Sequence, residues 1–125
     1  VVITASPELA NLRNAKNLID TLKELRPNDG PPRLVMNQVG VPKRPEISVV
    51  DFTGALGIDP AAVIGFEPAL FGTASNNGQM IGEADPKNAV TQSFDFLAQI
   101  LTGKAELRTE KKSALNLLTM LKRKK

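Results

Sequence analysis

The sequence contains neither cysteine nor histidine. Their absence excludes disulfides, thiol nucleophiles and zinc sites built from Cys and His, and it leaves a serine nucleophile without the usual imidazole base. Trp and Tyr are also absent, and there are five Phe, so the core has to be mainly aliphatic. We therefore expect no catalytic residue and no metal site in this chain.

Long apolar runs are also missing. None approaches the ~20 residues that a membrane-spanning helix needs, and no signal peptide is visible. The 125 residues are 42% hydrophobic and 23% charged, which fits one domain, and the lack of Cys is compatible with a reducing cytoplasm. The chain starts at Val1, inside an apolar run, so we expect it to be part of a longer protein.

Basic residues are concentrated near the end of the chain. Residues 103–125 hold eight Lys and Arg against two Asp and Glu, whereas residues 1–102 hold eight against eleven. The net charge of +3 therefore comes from the tail. Because the body carries no basic excess, we expect no nucleic-acid partner.

The apolar pattern alternates between strand-like and helix-like stretches in the order β-α-β-(α)-β-α. This alternation predicts an α/β fold with a parallel sheet between two layers of helices. The predicted domain covers residues 1–103, and residues 104–125 form a basic tail. The predicted strands are 1–4, 34–36 and 62–66, and the predicted helices are 7–25, 49–56 and 90–101.

Capping residues fix the predicted helix ends. Ser6, Pro7 and Glu8 are typical of a helix start, with an N-cap, a first-turn proline and an acid. Asp85-Pro86 repeats this pattern before the last helix, and Asp59-Pro60 predicts a turn. Gly57 and Gly103 are the predicted stops of the second and last helices. Residues 68–79 are rich in Gly and Asn and are predicted as a connection with one helical turn.

Polar residues follow two of the predicted strands, where open α/β sheets bind their ligands. Asn37 ends the second strand; its amide suits a purine edge, but an Asn that caps a turn before Gly40 is the explanation that the residues alone favour. Glu67 can accept a hydrogen bond from a ligand hydroxyl or be a solvated loop acid. Lys43 and Arg44 can meet phosphate or an acidic partner, or remain surface charges.

No phosphate-binding loop is present. The sequence has neither GxxxxGK[ST] nor GxGxxG, and Gly103-Lys104 is followed by Ala105. We therefore expect that this chain alone does not hydrolyse ATP.

Two segments resemble a known family. LVMNQVGVPKRPEI (34–47) and VIGFEPALFGTASNNGQMI (63–81) resemble the C-terminal part of the CpaE/TadZ pilus-assembly proteins. These belong to the MinD/ParA group of deviant P-loop ATPases, and the opening residues 1–20 resemble the strand and helix that follow the switch region in that group. The resemblance covers roughly residues 1–104.

The resemblance implies a C-terminal portion of a parallel P-loop NTPase-like sheet. It implies that Asn37 hydrogen-bonds adenine and that Gly65, Phe66, Glu67 and Pro68 lie beside the base. Gly65 stands where the group usually has proline, which weakens the expected pocket. ATP or ADP with Mg²⁺ would be bound by the full-length parent, whose Walker A lysines and Mg²⁺ ligands precede this segment.

The implied parent is at most a weak ATPase that forms a homodimer around nucleotide. It would assemble or position a type IVb (Tad/Flp) pilus or secretion apparatus, with pilus or secretion proteins as partners. The alternative is a non-catalytic interaction scaffold with a degraded nucleotide pocket.

The tail contains a candidate amphipathic helix at residues 113–121. An apolar face beside basic residues suits an anionic membrane surface, whereas a packed helix or a frayed end is the plainer explanation. The predicted location is therefore the cytoplasm, peripheral at the inner membrane or cell pole. The candidate membrane contacts are Leu117, Leu118, Leu121, Lys122 and Arg123.

Overall fold

Three parallel strands form one sheet in the order β1-β2-β3. The computed structural model describes residues 1–103, so the predicted tail helix and its membrane contacts lie outside the described residues. The strands are β1 (Val2–Ala5), β2 (Arg33–Val39) and β3 (Pro60–Gly65). The parallel α/β architecture is confirmed. The turn predicted at Asp59-Pro60 is wrong, because Pro60 is the first residue of a strand, where its missing N–H is tolerated.

Five helices alternate with these strands or follow them. Residues 1–93 form one compact unit, and a second begins at Phe94, within the last helix. That helix is followed by Gly103 at φ 74°, the stop residue predicted for it. The helices are α1 (Leu9–Leu25), α2 (Val49–Leu56), α3 (Pro68–Asn76), α4 (Ile81–Ala84) and α5 (Ala89–Leu101).

The start of α1 differs from the prediction. Its N-cap is Glu8, which has an extended backbone and makes no capping bond through its side chain. Ser6 lies in a preceding turn, where its carbonyl accepts from the Glu8 amide at 2.8 Å. The predicted Ser6 cap and the start at Pro7 are wrong, because this turn places the buried Pro7 ahead of the helix.

The ends of α2 agree with the prediction, whereas the start of α5 does not. Ser48 caps α2 by accepting from the Asp51 amide at 3.1 Å, and Gly57 ends that helix as predicted. Asp85, the predicted cap of α5, instead ends α4. The side chain of Asn88 takes that role by accepting from the Val90 amide at 2.8 Å.

One face of the sheet packs against α1 and α2. On the opposite face Val35, Ala62 and Ile64 are buried, whereas Val2 and Thr4 of β1 are exposed, so this face is covered over β2 and β3 only. The predicted apolar stripe of α1 is wider than its contact with the sheet, since Leu25 is 75% exposed. The core cluster comprises Ile3, Ala5, Ala15, Ile19, Leu34, Met36, Phe52 and Leu56.

The pairing of β2 with β3 is interrupted near the end of β2. Met36 pairs with Val63 and Val39 pairs with Gly65, so β2 advances three residues while β3 advances two. The extra residue makes a β-bulge at positions 37–38, where Gln38 has φ 53°. Val39 therefore packs against the same core cluster as Met36.

Within residues 1–103, no helix is both long and apolar enough to cross a membrane.

Candidate functional site

A concavity of about 250 Å³ lies where β2 and β3 end. This is the carboxyl edge of the parallel sheet, the usual place for a ligand in α/β proteins. Four of the five residues predicted for the site line it, while Gly65 ends β3 opposite Val39 and leads into the wall. The lining residues are Asn37, Gln38, Phe66, Glu67, Pro68 and Phe71.

Asn37 lies half-buried in the bulge. Its Oδ1 accepts from the Gln38 amide at 2.9 Å, whereas its Nδ2 makes no hydrogen bond with any residue in the described range 1–103. The oxygen therefore has a local partner, as the turn interpretation expects. The amide donor is left for a ligand, as the purine interpretation requires.

Glu67 is held by a residue 21 positions further along the chain. Its Oε2 accepts from Asn88 Nδ2 at 3.1 Å, and Asn88 in turn caps α5 through the Val90 amide. Glu67 is only half exposed, so it is not a freely solvated loop acid. A carboxylate fixed in this way can still accept from a ligand hydroxyl or amino group.

Two phenylalanines supply the apolar wall of the concavity. Phe66 continues directly from β3, and its amide donates to the Val39 carbonyl at 2.8 Å, which ties the wall to the end of β2. Phe71 lies on α3, one turn after Pro68. Flat apolar surfaces beside a few polar groups are typical of sites for aromatic ligands.

Gln38, Phe71 and Asn88 were missed by sequence reasoning. Phe71 was placed in a connection with one helical turn, although Pro68 at the first helical position was a signal for a longer helix. Asn88 stands just before the last predicted helix and is a preferred N-cap residue. Gln38 gave no sequence signal, because the bulge that exposes it arises from strand pairing.

The loop after β2 folds around Glu46. Its carboxylate accepts from the Gly40 amide at 3.0 Å and the Val41 amide at 2.9 Å, and Arg44 Nη2 donates to it at 2.8 Å. The Gly40 amide is the main cause that lowers the pKa of Glu46, with Arg44 and Val41 adding to it against desolvation. Arg44 is thus engaged by a protein carboxylate, while Lys43 is exposed.

Other possible sites in the described chain lack this convergence. No group of three or more metal-binding side chains comes together within residues 1–103. A second cleft of about 230 Å³, lined in part by Val1, Leu22 and Pro32, lies near the amino ends of β1 and β2. Parallel sheets place their ligands at the opposite edge.

Comparison with known proteins supports the fold. No family model matches the sequence, and no curated protein matches it. A MinC:MinD cell division protein complex from Aquifex aeolicus is similar, with 24% identity and a TM-score of 0.66 over 82% of this chain and 42% of that chain. The MinD cell division protein from Aquifex aeolicus gives 24% identity and a TM-score of 0.64 over 82% and 43%.

A ParA family ATPase from Chlorobium tepidum TLS gives 18% identity and a TM-score of 0.59 over 80% of this chain and 39% of that chain. The chain therefore spans about two-fifths of the length of these three structures. At this identity the similarity shows the fold alone. The predicted MinD/ParA-like fold is confirmed.

Proposed function

We propose that this chain forms the adenine side of an ATP site in a MinD/ParA-like ATPase. The observation that carries the proposal is that Asn37, Phe66 and Phe71 line one concavity at the carboxyl edge of the sheet. The similarity in fold to a ParA family ATPase supports a nucleotide as the ligand.

The size and chemistry of the concavity suit a base rather than a whole nucleotide. Its volume of about 250 Å³ is below the ~300–1,000 Å³ of sites that enclose a complete ligand. Asn37 Nδ2 would donate to a ring nitrogen, the phenylalanines would cover the ring, and Glu67 would accept from an amino or hydroxyl group.

Phosphate and Mg²⁺ would be bound by other parts of the full-length protein. Residues 1–103 contain no phosphate loop and no acidic cluster that could hold a metal. Bound nucleotide would supply the γ-phosphate for hydrolysis, and the chain described here would orient the base. We therefore propose ATP or ADP with Mg²⁺ as ligands of the full-length protein, and at most weak ATPase activity.

Calorimetric titration of the full-length protein with ATP tests this role. Asn37→Ala should weaken ATP binding about tenfold, because a good hydrogen bond to a ligand contributes roughly 1–1.5 kcal/mol. Asn14→Ala, a change of the same type on the exposed side of α1, should leave affinity unchanged. Absence of ATP binding by the unmodified protein would refute the proposal.

We infer a role in assembling or positioning a Tad/Flp pilus or secretion apparatus from the segments at 34–47 and 63–81. One similar structure is a complex of MinD with MinC, which supports the proposal of protein partners, and we propose a homodimer from the family resemblance. Cells that carry Asn37→Ala in the full-length protein should assemble fewer pili by electron microscopy. Normal pilus numbers despite lost ATP binding would contradict a nucleotide-dependent role.

A non-catalytic interaction scaffold is the second candidate. Gly65 favours it, because the chain has no proline to stiffen the strand end beside the pocket. Glu67 also favours it, since one carboxylate oxygen is already bonded to Asn88. The scaffold predicts that the full-length protein co-purifies with pilus components yet shows no heat of ATP binding.

A further inference from the structure

Arg44 and Glu46 form a clamp that closes the loop after β2; we use "the clamp" for these two side chains. Arg44 contacts Glu46 Oε1 through Nη2 at 2.8 Å and through Nε at 3.2 Å. Both side chains are only 18% exposed. An ion pair with two hydrogen bonds and little exposure holds a defined geometry, which an exposed single contact does not.

The clamp contacts the edge of the concavity by bonding to backbone groups of the residues that follow Asn37. Arg44 Nη2 also donates to the carbonyl of Gln38, the residue whose amide donates to Asn37 Oδ1. Glu46 binds the Gly40 amide two residues further along. The side chain of Asn37 is therefore oriented by a peptide segment that the clamp holds at both ends.

The loop after β2 contains two backbone conformations that contacts from other residues have to stabilise. Gln38 has φ 53° and Lys43 has φ 60°, in a region that residues other than glycine occupy at a cost. The clamp follows both positions in the chain, and Arg44 bonds back to the carbonyl of Gln38. Without it, the loop would relax toward ordinary backbone angles and Gln38 would turn away from Asn37.

The clamp is anchored on α1 as well. Arg44 Nε lies 4.0 Å from Glu8 Oε1, and the Ile47 amide donates to the Pro7 carbonyl at 2.9 Å. The loop is thus fixed against the start of a helix that packs on the core. This anchor gives the clamp a rigid frame against which it can place Gln38.

We propose that Arg44 and Glu46 are positioning residues that orient Asn37 for selection of adenine over guanine. The inference rests on the proposed adenine site. With Oδ1 held toward the Gln38 amide, Nδ2 is directed to the ligand. Adenine offers a ring-nitrogen acceptor beside an amino donor, which match Asn37 Nδ2 and the Glu67 carboxylate. The same edge of guanine offers an N–H donor beside a carbonyl, so an Asn amide fixed with its donor toward the base favours adenine and a freely rotating one does not.

The test compares ATP and GTP binding by calorimetry in the full-length protein. Glu46→Gln keeps the size of the side chain but removes its charge. Arg44→Lys keeps the charge but removes the fork that spans Glu46 and Gln38. Each should weaken ATP binding about fivefold to tenfold and leave GTP binding within about twofold, so that selectivity falls.

Lys43→Asn is the matched control. It removes an exposed cation from the same loop, and Asn tolerates a positive φ. Its affinities for ATP and GTP should equal those of the unmodified protein. A loss equal to that of Glu46→Gln would show that any change in this loop weakens binding, and it would overturn the positioning role.

A double-mutant cycle with Asn37→Ala separates positioning from stability. Glu46→Gln should change ATP affinity less than about twofold when Asn37 is already absent, since both act through one contact. Full additivity, or equal losses for ATP and GTP, would overturn the inference while leaving the adenine site standing. If the unmodified protein binds neither nucleotide, the proposed function and this inference both fail.

Discussion

At the scale of single residues, the charge on Glu46 makes the loop after β2 sensitive to acid. The hydrogen bond from the Gly40 amide lowers the pKa of Glu46, so the folded protein binds this proton more weakly than the unfolded chain does. The stability from the charged group is present above the ordinary carboxyl pKa and is lost as the pH falls through the lowered value.

Urea denaturation of the full-length protein should show this dependence. Glu46→Gln should be less stable than the unmodified protein at pH 7, and the difference should shrink as the pH falls below about 4. Arg44 and Glu8, the other carboxylate near Arg44, are present in both proteins. A difference that does not change with pH would contradict the expectation.

At the scale of elements, two glycines provide a matched pair. Gly57 ends α2 in the left-handed region, with φ 67°, and its amide donates to the Thr53 carbonyl at 2.8 Å. Gly65 ends β3 without a positive φ, and an added Cβ would meet no atom within 4 Å. Only the first position requires glycine for its backbone conformation.

Gly57→Ala should therefore destabilise the protein by about 1 kcal/mol. Gly65→Ala should stabilise it by about 0.4–1 kcal/mol, since alanine restricts the unfolded chain without strain in the folded one. Chemical denaturation of both variants measures the two changes. A shift of the same sign at both positions would refute the argument.

Local signals predicted the elements whose ends are determined locally. The predicted helix 49–56 and its stop at Gly57 match α2, whose N-cap is Ser48. The predicted N-caps Ser6 and Asp85 are wrong because a nearby residue, Glu8 or Asn88, takes the cap position instead. Local sequence does not decide between such neighbouring candidates. The length of α3 was underestimated because its Gly and Asn content lowers helix propensity.

The candidate site divides in the same way. Asn37 and Glu67 stand at the ends of predicted strands, where ligands bind in parallel sheets, and the family resemblance placed both beside the base. Phe71 and Asn88 come from helices that long-range packing brings to the same edge. The position of Gln38 at the concavity results from the bulge in the pairing of β2 with β3. The sequence pattern of one strand does not show its register with the next strand.

At the scale of the whole molecule, the tail is proposed to bring the protein to a membrane. Residues 104–125 lie outside the described structure, and the proposal rests on the apolar and basic residues at 113–125. Deletion of these residues should abolish flotation of the full-length protein with liposomes that contain anionic lipid.

Two substitutions separate the apolar contribution from the charged one. Leu118→Ser should reduce flotation at any salt concentration, whereas Lys122→Gln should reduce it mainly at low salt, because screening already weakens surface attraction at high salt. Asn116→Ser, on the side opposite the leucines of the predicted helix, is the control. Equal flotation with and without residues 113–125 would refute membrane attachment.

The bulge in β2 adds a residue to the candidate site without changing how the sheet packs on the core. If position 38 were removed, Val39 would move back one step and still face the core beside Met36, because the bulge absorbs one residue of β2 against β3. Gln38 therefore acts as an inserted residue that leaves the packing of the core unchanged. Alignments of related chains should therefore tolerate a one-residue gap at position 38. A loop grafted from a chain that lacks this residue should preserve the pairing of β2 with β3 but not the side of the concavity that Gln38 lines.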